Sequence, residues 1–167
     1  MSDNINKRAV IIFPKFKNIK TIQEVRKRYD RLYGMIEPHI TLIFPFSDNM
    51  ADELLIERVR KVLKNITKFN VRFKGISLSN DNYIFLNCIE GKDKIMQLHD
   101  SIYQEVLPTH LKKEIQYIPH ITLGQSESIN ILKKNFDEEF ETIIDEISIE
   151  YIDENEESIL IDKIELL

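Results

Sequence analysis

With one cysteine, Cys88, in 167 residues, the chain has no internal disulfide, which excludes a cross-linked scaffold of the small secreted kind. Glycine and proline are scarce, at four and five, so collagen-like, linker-rich and low-complexity organisations fail as well. No apolar run approaches the roughly 18 residues of a membrane span. The opening Met-Ser-Asp-Asn carries no hydrophobic leader segment. No glycine-rich phosphate loop is present, which removes support for nucleoside triphosphate hydrolysis. An excess of positive charge is missing too, with 23 Lys and Arg against 28 Asp and Glu. Broad non-specific binding to a nucleic-acid duplex needs a basic face and is therefore not expected. Together these absences point to a soluble, cytoplasmic protein without membrane contact. The length over residues 1–167 suits one compact domain or two small lobes sharing a core. A monomer is expected, although the sequence does not fix the oligomeric state.

What is present is ordinary in amount and uneven in place. Hydrophobic residues make up 43% and charged residues 31%, the balance of a globular chain with a core. Residues 1–83 carry 16 basic and 9 acidic side chains, whereas residues 84–167 carry 7 and 19. A small anionic ligand in a local basic cleft stays compatible with that distribution.

The hydrophobic pattern alternates between strand and helix. Residues 9–13 form a short apolar run closed by Pro14, a strand. Ile19, Ile22, Val25, Tyr29 and Leu32 recur at helical spacing, predicting a helix over 18–33 that stops at Gly34. Residues 40–44 read as a strand between Pro38 and Pro45. A helix capped by Ser47 or Asp48 follows, with an apolar stripe of Leu54, Leu55, Val59, Val62, Leu63 and Ile66. A hairpin is expected over 69–78 and 83–89. The second half replays the order: a helix over 93–107, a strand over 117–123, a short helix over 126–136, and strands over 140–152 and 158–166. The order reads as fold class α+β, a duplicated module with mixed or antiparallel sheets and helices outside. If the halves pack about a pseudo-twofold axis, one central cleft lies between the two lobes.

One repeat carries most of the information. Pro38-His39-Ile40-Thr41-Leu42 returns as Pro119-His120-Ile121-Thr122-Leu123, identical at five positions and 81 residues apart. Both copies open equivalent strands, so an internal duplication accounts for them. In a strand, positions i and i+2 share a face. His39 therefore points with Thr41 and His120 with Thr122, while the Ile and Leu partners face the core. Two imidazoles across one cleft suit acid–base work on a phosphodiester. One takes a proton from the attacking oxygen and the other protonates the leaving oxygen. The threonine hydroxyls can hold the non-bridging oxygens. The scheme requires no metal or other cofactor, and His99 and His110 lack the context to complete a zinc site.

At these residues the sequence resembles the two-histidine (2H) phosphoesterases, the 2′-5′ RNA ligase-like superfamily, defined by a His-x-Thr-x motif in each of two lobes. Val25-Arg-Lys-Arg-Tyr-Asp30 leading to Pro38-His-Ile-Thr-Leu42 is similar to the small bacterial branch. The resemblance covers nearly the whole chain. It implies His39 and His120 as catalytic residues, Thr41 and Thr122 as phosphate-binding residues, and a bilobal fold around a cleft. It also implies metal-free cleavage of 2′,3′-cyclic phosphates or 2′-5′ linkages, with RNA ends or small nucleotides as substrates. For opening a cyclic phosphate, His120 is taken as the base that activates water and His39 as the acid that protonates the departing ribose oxygen. The pseudo-symmetry permits the reverse, and transesterification would exchange the roles.

Other features carry less. The basic residues between Lys15 and Arg31 could steer a phosphorylated ligand, although a solvated helix face explains them more simply. Tyr33, Phe44, Phe46 and Tyr117 lie near the motifs and could stack on a base, but core packing is the simpler role. His99 reads as a packed helix residue. A non-catalytic module that binds nucleotides or RNA ends in the same cleft is the rival reading. Two complete His-Thr pairs favour the enzyme, because binding alone does not need two titratable groups.

Overall fold

The computed structural model describes residues 7–167. Two four-stranded sheets, antiparallel throughout, carry the chain. The first has the order β2-β1-β7-β8, from β1 (Lys7–Ile12), β2 (Ile40–Phe46), β7 (Glu146–Ile152) and β8 (Ser158–Glu165). The second has the order β5-β4-β3-β6, from β3 (Phe69–Leu78), β4 (Tyr83–Glu90), β5 (His120–Gln125) and β6 (Phe140–Ile144). Four α-helices connect them: α1 (Ile19–Tyr29), α2 (Asp52–Leu63), α3 (Lys92–Glu105) and the short α4 (Asn130–Asn135).

The sheets do not coincide with the sequence halves. The first borrows β7 and β8 from the end of the chain, and the second is built from β3 to β6. The duplication is thus stitched together by exchange of strand pairs. The helices cross in the same sense: α1 packs against β5 of the other sheet, and α3 packs against β2. One continuous core results, with Val10, Leu42 and Ile149 of the first sheet in the same cluster as Phe73, Leu86 and Leu123 of the second. Burying that apolar surface is the main force holding the two sheets in place.

Several boundaries differ from expectation. The strand expected over 140–152 is two strands, parted at Asp145 and paired in different sheets. The core residues change phase there, from Phe140 and Ile144 to Ile147 and Ile149, and a strand cannot change faces without a break. The Asp145 carbonyl accepts the Leu166 amide at 2.8 Å, which fixes the corner. Helix α1 ends at Tyr29 rather than 33, because the following residues turn and Asp30 Oδ1 accepts the Leu32 amide. Neither Ser47 nor Asp48 caps α2, whose N-cap is Ala51. Asp48 instead accepts the Met50 amide and pairs with the buried Arg8 and with His110. The segment before β5 joins no ladder until His120, in keeping with Pro119, which has no amide to donate. The short helix covers only Asn130–Asn135, after a serine turn at Ser126 and Ser128.

Candidate active site

Both repeats lie on edge strands. β2 ends the first sheet, β5 ends the second, and the two edges pack against one another. The alternation within each pentapeptide follows from that placement. Ile40, Leu42, Ile121 and Leu123 are wholly buried, whereas His39, Thr41, His120 and Thr122 are half-buried on the opposite face. Thr41 stands beside Ile11 of β1, and Thr122 stands beside Phe85 of β4.

The two imidazoles are held in matching ways. His39 Nδ1 lies 2.8 Å from the Glu37 carbonyl, and His120 Nδ1 lies 2.8 Å from the Ile118 carbonyl. A carbonyl only accepts, so in both rings Nδ1 is the donor and the tautomer is fixed. Each Nε2 is left without a hydrogen bond to any described residue, and so are the hydroxyls of Thr41 and Thr122. The ring of Phe85 stacks on His120 at 3.7 Å between centroids, and Phe13 sits 6.2 Å from His39.

Burial dominates the electrostatics. It pushes His39 down to about 4, against the hydrogen bond to Glu37, which favours the charged ring; Arg26 and His120 add repulsion. Burial also lowers His120, again opposed by its hydrogen bond to Ile118. The unliganded site therefore holds both rings neutral at pH 7, and a proton on His120 disfavours one on His39.

The supports of the motifs come from residues that hydrophobic periodicity does not single out. Arg26, only 1% exposed, donates to Asp30, to Gln23 and, at 2.7 Å, to the Ile36 carbonyl just before the first motif. Its signal in the sequence is a cation on the face that Ile22 and Tyr29 share. The Tyr117 hydroxyl donates to the Thr41 carbonyl at 2.8 Å, tying the second motif's approach to the first motif's strand. Tyr117 also stacks on His99, at 3.8 Å between centroids.

The remaining candidates lie elsewhere. His99 is buried on α3 against Tyr117 and Tyr103. His110 pairs with Asp48 and packs on Phe46. Phe46 is buried, while Phe44 and Tyr33 are partly exposed. Of the basic residues on and around α1, Arg26 is internal, Arg31 pairs with Glu156, and Lys15 pairs with Asp145 and Glu146. Among the described residues, no group of three or more His, Cys, Asp or Glu side chains is placed to hold a metal ion. No helix of the described residues is long and apolar enough to cross a membrane.

Comparison with known proteins agrees with this architecture. A protein of Bacillus licheniformis named as a candidate phosphoesterase is 33% identical over 127 residues, covering 73% of this chain and 72% of its own. A similarly named protein of Bacillus pumilus is 30% identical over 154 residues, covering 90% and 83%. Among solved structures, Escherichia coli LigT complexed with 3′-AMP superposes with a TM-score of 0.70 at 13% identity, covering 96% of this chain and 98% of that one. A Thermus thermophilus protein superposes with a TM-score of 0.69 at 12% identity, covering 96% and 97%. The family model of the 2′-5′ RNA ligase superfamily matches residues 14–156. The chain belongs to that superfamily and is a phosphoesterase of the two-histidine kind.

Proposed function

We propose that the chain is a metal-independent phosphodiesterase that opens 2′,3′-cyclic phosphates, or cleaves 2′-5′ linkages, at RNA ends or in small nucleotides. The observation that carries this reading is the matched pair of imidazoles. Each is fixed through Nδ1 and presents a free Nε2, on edge strands that abut. The nucleotide complexes of Escherichia coli LigT, with 3′-AMP, NADP+ and ATP, support a nucleotide as ligand.

In ring opening, water attacks phosphorus and gives its proton to one neutral Nε2. The bond to a ribose oxygen breaks, and that oxygen takes a proton from the other imidazole, which must be cationic. The hydroxyls of Thr41 and Thr122 donate to the non-bridging oxygens, where charge builds up. Burial lowers both rings, and His39 further, which favours His39 as the base and His120 as the acid, the reverse of the assignment taken from the sequence. The phosphate favours the cation on His120 that its burial disfavours.

A panel of 2′,3′-cyclic nucleotides and 2′-5′ dinucleotides, with H39A as control and a strong chelator in one arm, tests the reading. Turnover that survives chelation and disappears in H39A is expected. Nucleotide binding without turnover on every substrate would leave a binding module. A p-nitrophenyl phosphodiester, whose leaving group needs no acid, tests the assignment of roles. It should restore much of the activity of H120A and little of that of H39A.

A further inference from the structure

Beside the first motif, the cleft-facing side of the first sheet opens into a cavity of about 600 Å3 that neither His-Thr pair uses. Phe13, whose ring meets His39, and Glu37, whose carbonyl holds His39 Nδ1, form its near rim. Glu146, Ser148 and Glu150 of β7 and Ser158, Leu160 and Lys163 of β8 line this face, and Glu146 is paired with Lys15 and Lys163. The opposite wall, residues 34–38, is tied to β8 where the Ser158 amide donates to the Met35 carbonyl at 3.1 Å. The cavity is thus formed before any ligand arrives.

Its polar lining is unfinished. Ser148 and Glu150 are 3% and 4% exposed. Ser158 stands close enough to Glu150 to ease its ionisation, yet neither Glu150 Oε2 nor Ser158 Oγ completes a hydrogen bond. A buried carboxylate oxygen without a donor is costly, and at a cavity wall either a water or an N–H that a ligand brings can complete it. Burial also raises the Glu150 carboxyl above its ordinary range, partly offset by Ser158 and Lys163. A pair of N–H donors would restore the ionised form.

The register sets the scale. Thr41 stands opposite Ile11, and Ile11 opposite Ser148, so Thr41 and Ser148 are two strand spacings apart, about 10 Å. Glu150 lies two residues further along β7, which places it about 12 Å from Thr41 on the diagonal. With side-chain lengths included, that is the span of one nucleoside from its phosphate to the outer edge of its base. Phe13, Ile36 and Leu160 supply apolar walls for the plane of a ring.

We propose that this cavity is the base subsite of the phosphodiesterase, and that it selects guanine, whose adjacent N1–H and N2–H donate together to the Glu150 carboxylate. Guanine alone of the four bases offers two parallel donors on that edge. Adenine and cytosine each set a ring-nitrogen acceptor beside their amino group. Uracil places its single N–H between two carbonyls, which a carboxylate repels. The position of the phosphate rests on the function proposed above; the preference for guanine rests on Glu150.

Equilibrium binding of 3′-GMP, 3′-IMP and 3′-UMP, measured by calorimetry, separates the two ideas because it needs no turnover. Wild-type protein should bind 3′-GMP about 10–100-fold more tightly than 3′-UMP. Affinity for 3′-IMP, which lacks the N2 amino group, should fall between them. E150Q should lose most of the preference while H39A retains it. Equal affinities for 3′-GMP and 3′-IMP in the wild type, or an undiminished preference in a folded E150Q, would overturn the proposal. The inosine comparison needs no variant, so it decides the matter even if E150Q does not fold. A guanine preference without hydrolysis of any cyclic phosphate would instead count against the histidine chemistry and leave the subsite standing.

Discussion

The Tyr117 hydroxyl donates to the main-chain carbonyl of Thr41 over 2.8 Å, so a residue three places before one motif histidine anchors the strand that carries the other. Burial raises the Tyr117 phenol far above its ordinary range, and it is a neutral donor at any working pH. Helix α3 reinforces the link, because His99 stacks on the Tyr117 ring and the Tyr103 hydroxyl accepts the Phe44 amide at 3.1 Å. Relative placement of the two His-Thr pairs therefore depends on a bond that bridges the sheets.

Tyr117→Phe tests that link. The ring and its stacking remain while one buried hydrogen bond is lost, a cost of about 0.5–1.5 kcal/mol in urea unfolding. A carbonyl left unpaired moves the result toward the upper end. The turnover number should fall more than the substrate affinity, since the change misplaces one motif against the other rather than removing a contact. A variant of reduced stability and unaltered turnover number would show that the bond serves the fold alone.

Substitutions within the motifs should form a ranked series. Either His→Ala change removes a proton-transfer group, with an expected loss of about 10²–10⁴-fold in rate. Thr41→Val or Thr122→Val removes one phosphate hydrogen bond and should cost about 1–3 kcal/mol of transition-state stabilisation. Steady-state kinetics on a cyclic nucleotide gives all four values. Threonine variants as impaired as the histidine variants would move the proton transfers away from the imidazoles.

The motif was legible because it combines two signals, identity at five positions and the two-residue period of a strand. His39 and Thr41 share a face, as do His120 and Thr122, with Ile40, Leu42, Ile121 and Leu123 beneath them. The exchange of strands between sheets was not legible. Order along the chain does not say which strands pair, and β7 reads equally well as the continuation of β6. Its trace is the phase slip from Ile144 to Ile147, which takes the core face across Asp145. The Nδ1 contacts of His39 and His120 depend on main-chain carbonyls, which composition and periodicity do not report. Arg26 was visible only as a cation among the apolar positions of α1, where a solvated helix face was the simpler expectation.

Close approach of α1 to the second motif gives a sharper test of packing. Gly124, directly after Pro119–Leu123, has φ +136°, and a Cβ there would lie 2.4 Å from the Tyr29 carbonyl oxygen. Gly34, with φ +88°, has nothing within 4 Å of such an atom. Gly34→Ala should cost only backbone strain, about 1–2 kcal/mol. Gly124→Ala must also displace α1 from β5, and should cost clearly more, with loss of activity as Thr122 shifts. Urea midpoints compare the two variants; similar midpoints would mean that α1 and β5 are not in tight contact.

The pH dependence follows from the lowered imidazoles. In the free enzyme His39 titrates near 4, and His120 also lies below its usual 6.5. The profile of kcat/KM reports those free-enzyme values. Its acid limb, where the base becomes protonated, should lie well below pH 6. Its alkaline limb, where the acid loses its proton, should begin below pH 6.5. Bound phosphate favours the cationic rings, so the kcat profile should move to higher pH on both limbs, with values belonging to the coupled pair. Folding responds to the same groups. Between the folded value near 4 and the unfolded value near 6.5, the unfolded chain binds more protons, so stability rises with pH across that window and is lost as pH falls through it. H39A should flatten that part of the stability profile and remove one limb of the rate profile together. Retention of both features in H39A would mean that another group titrates there.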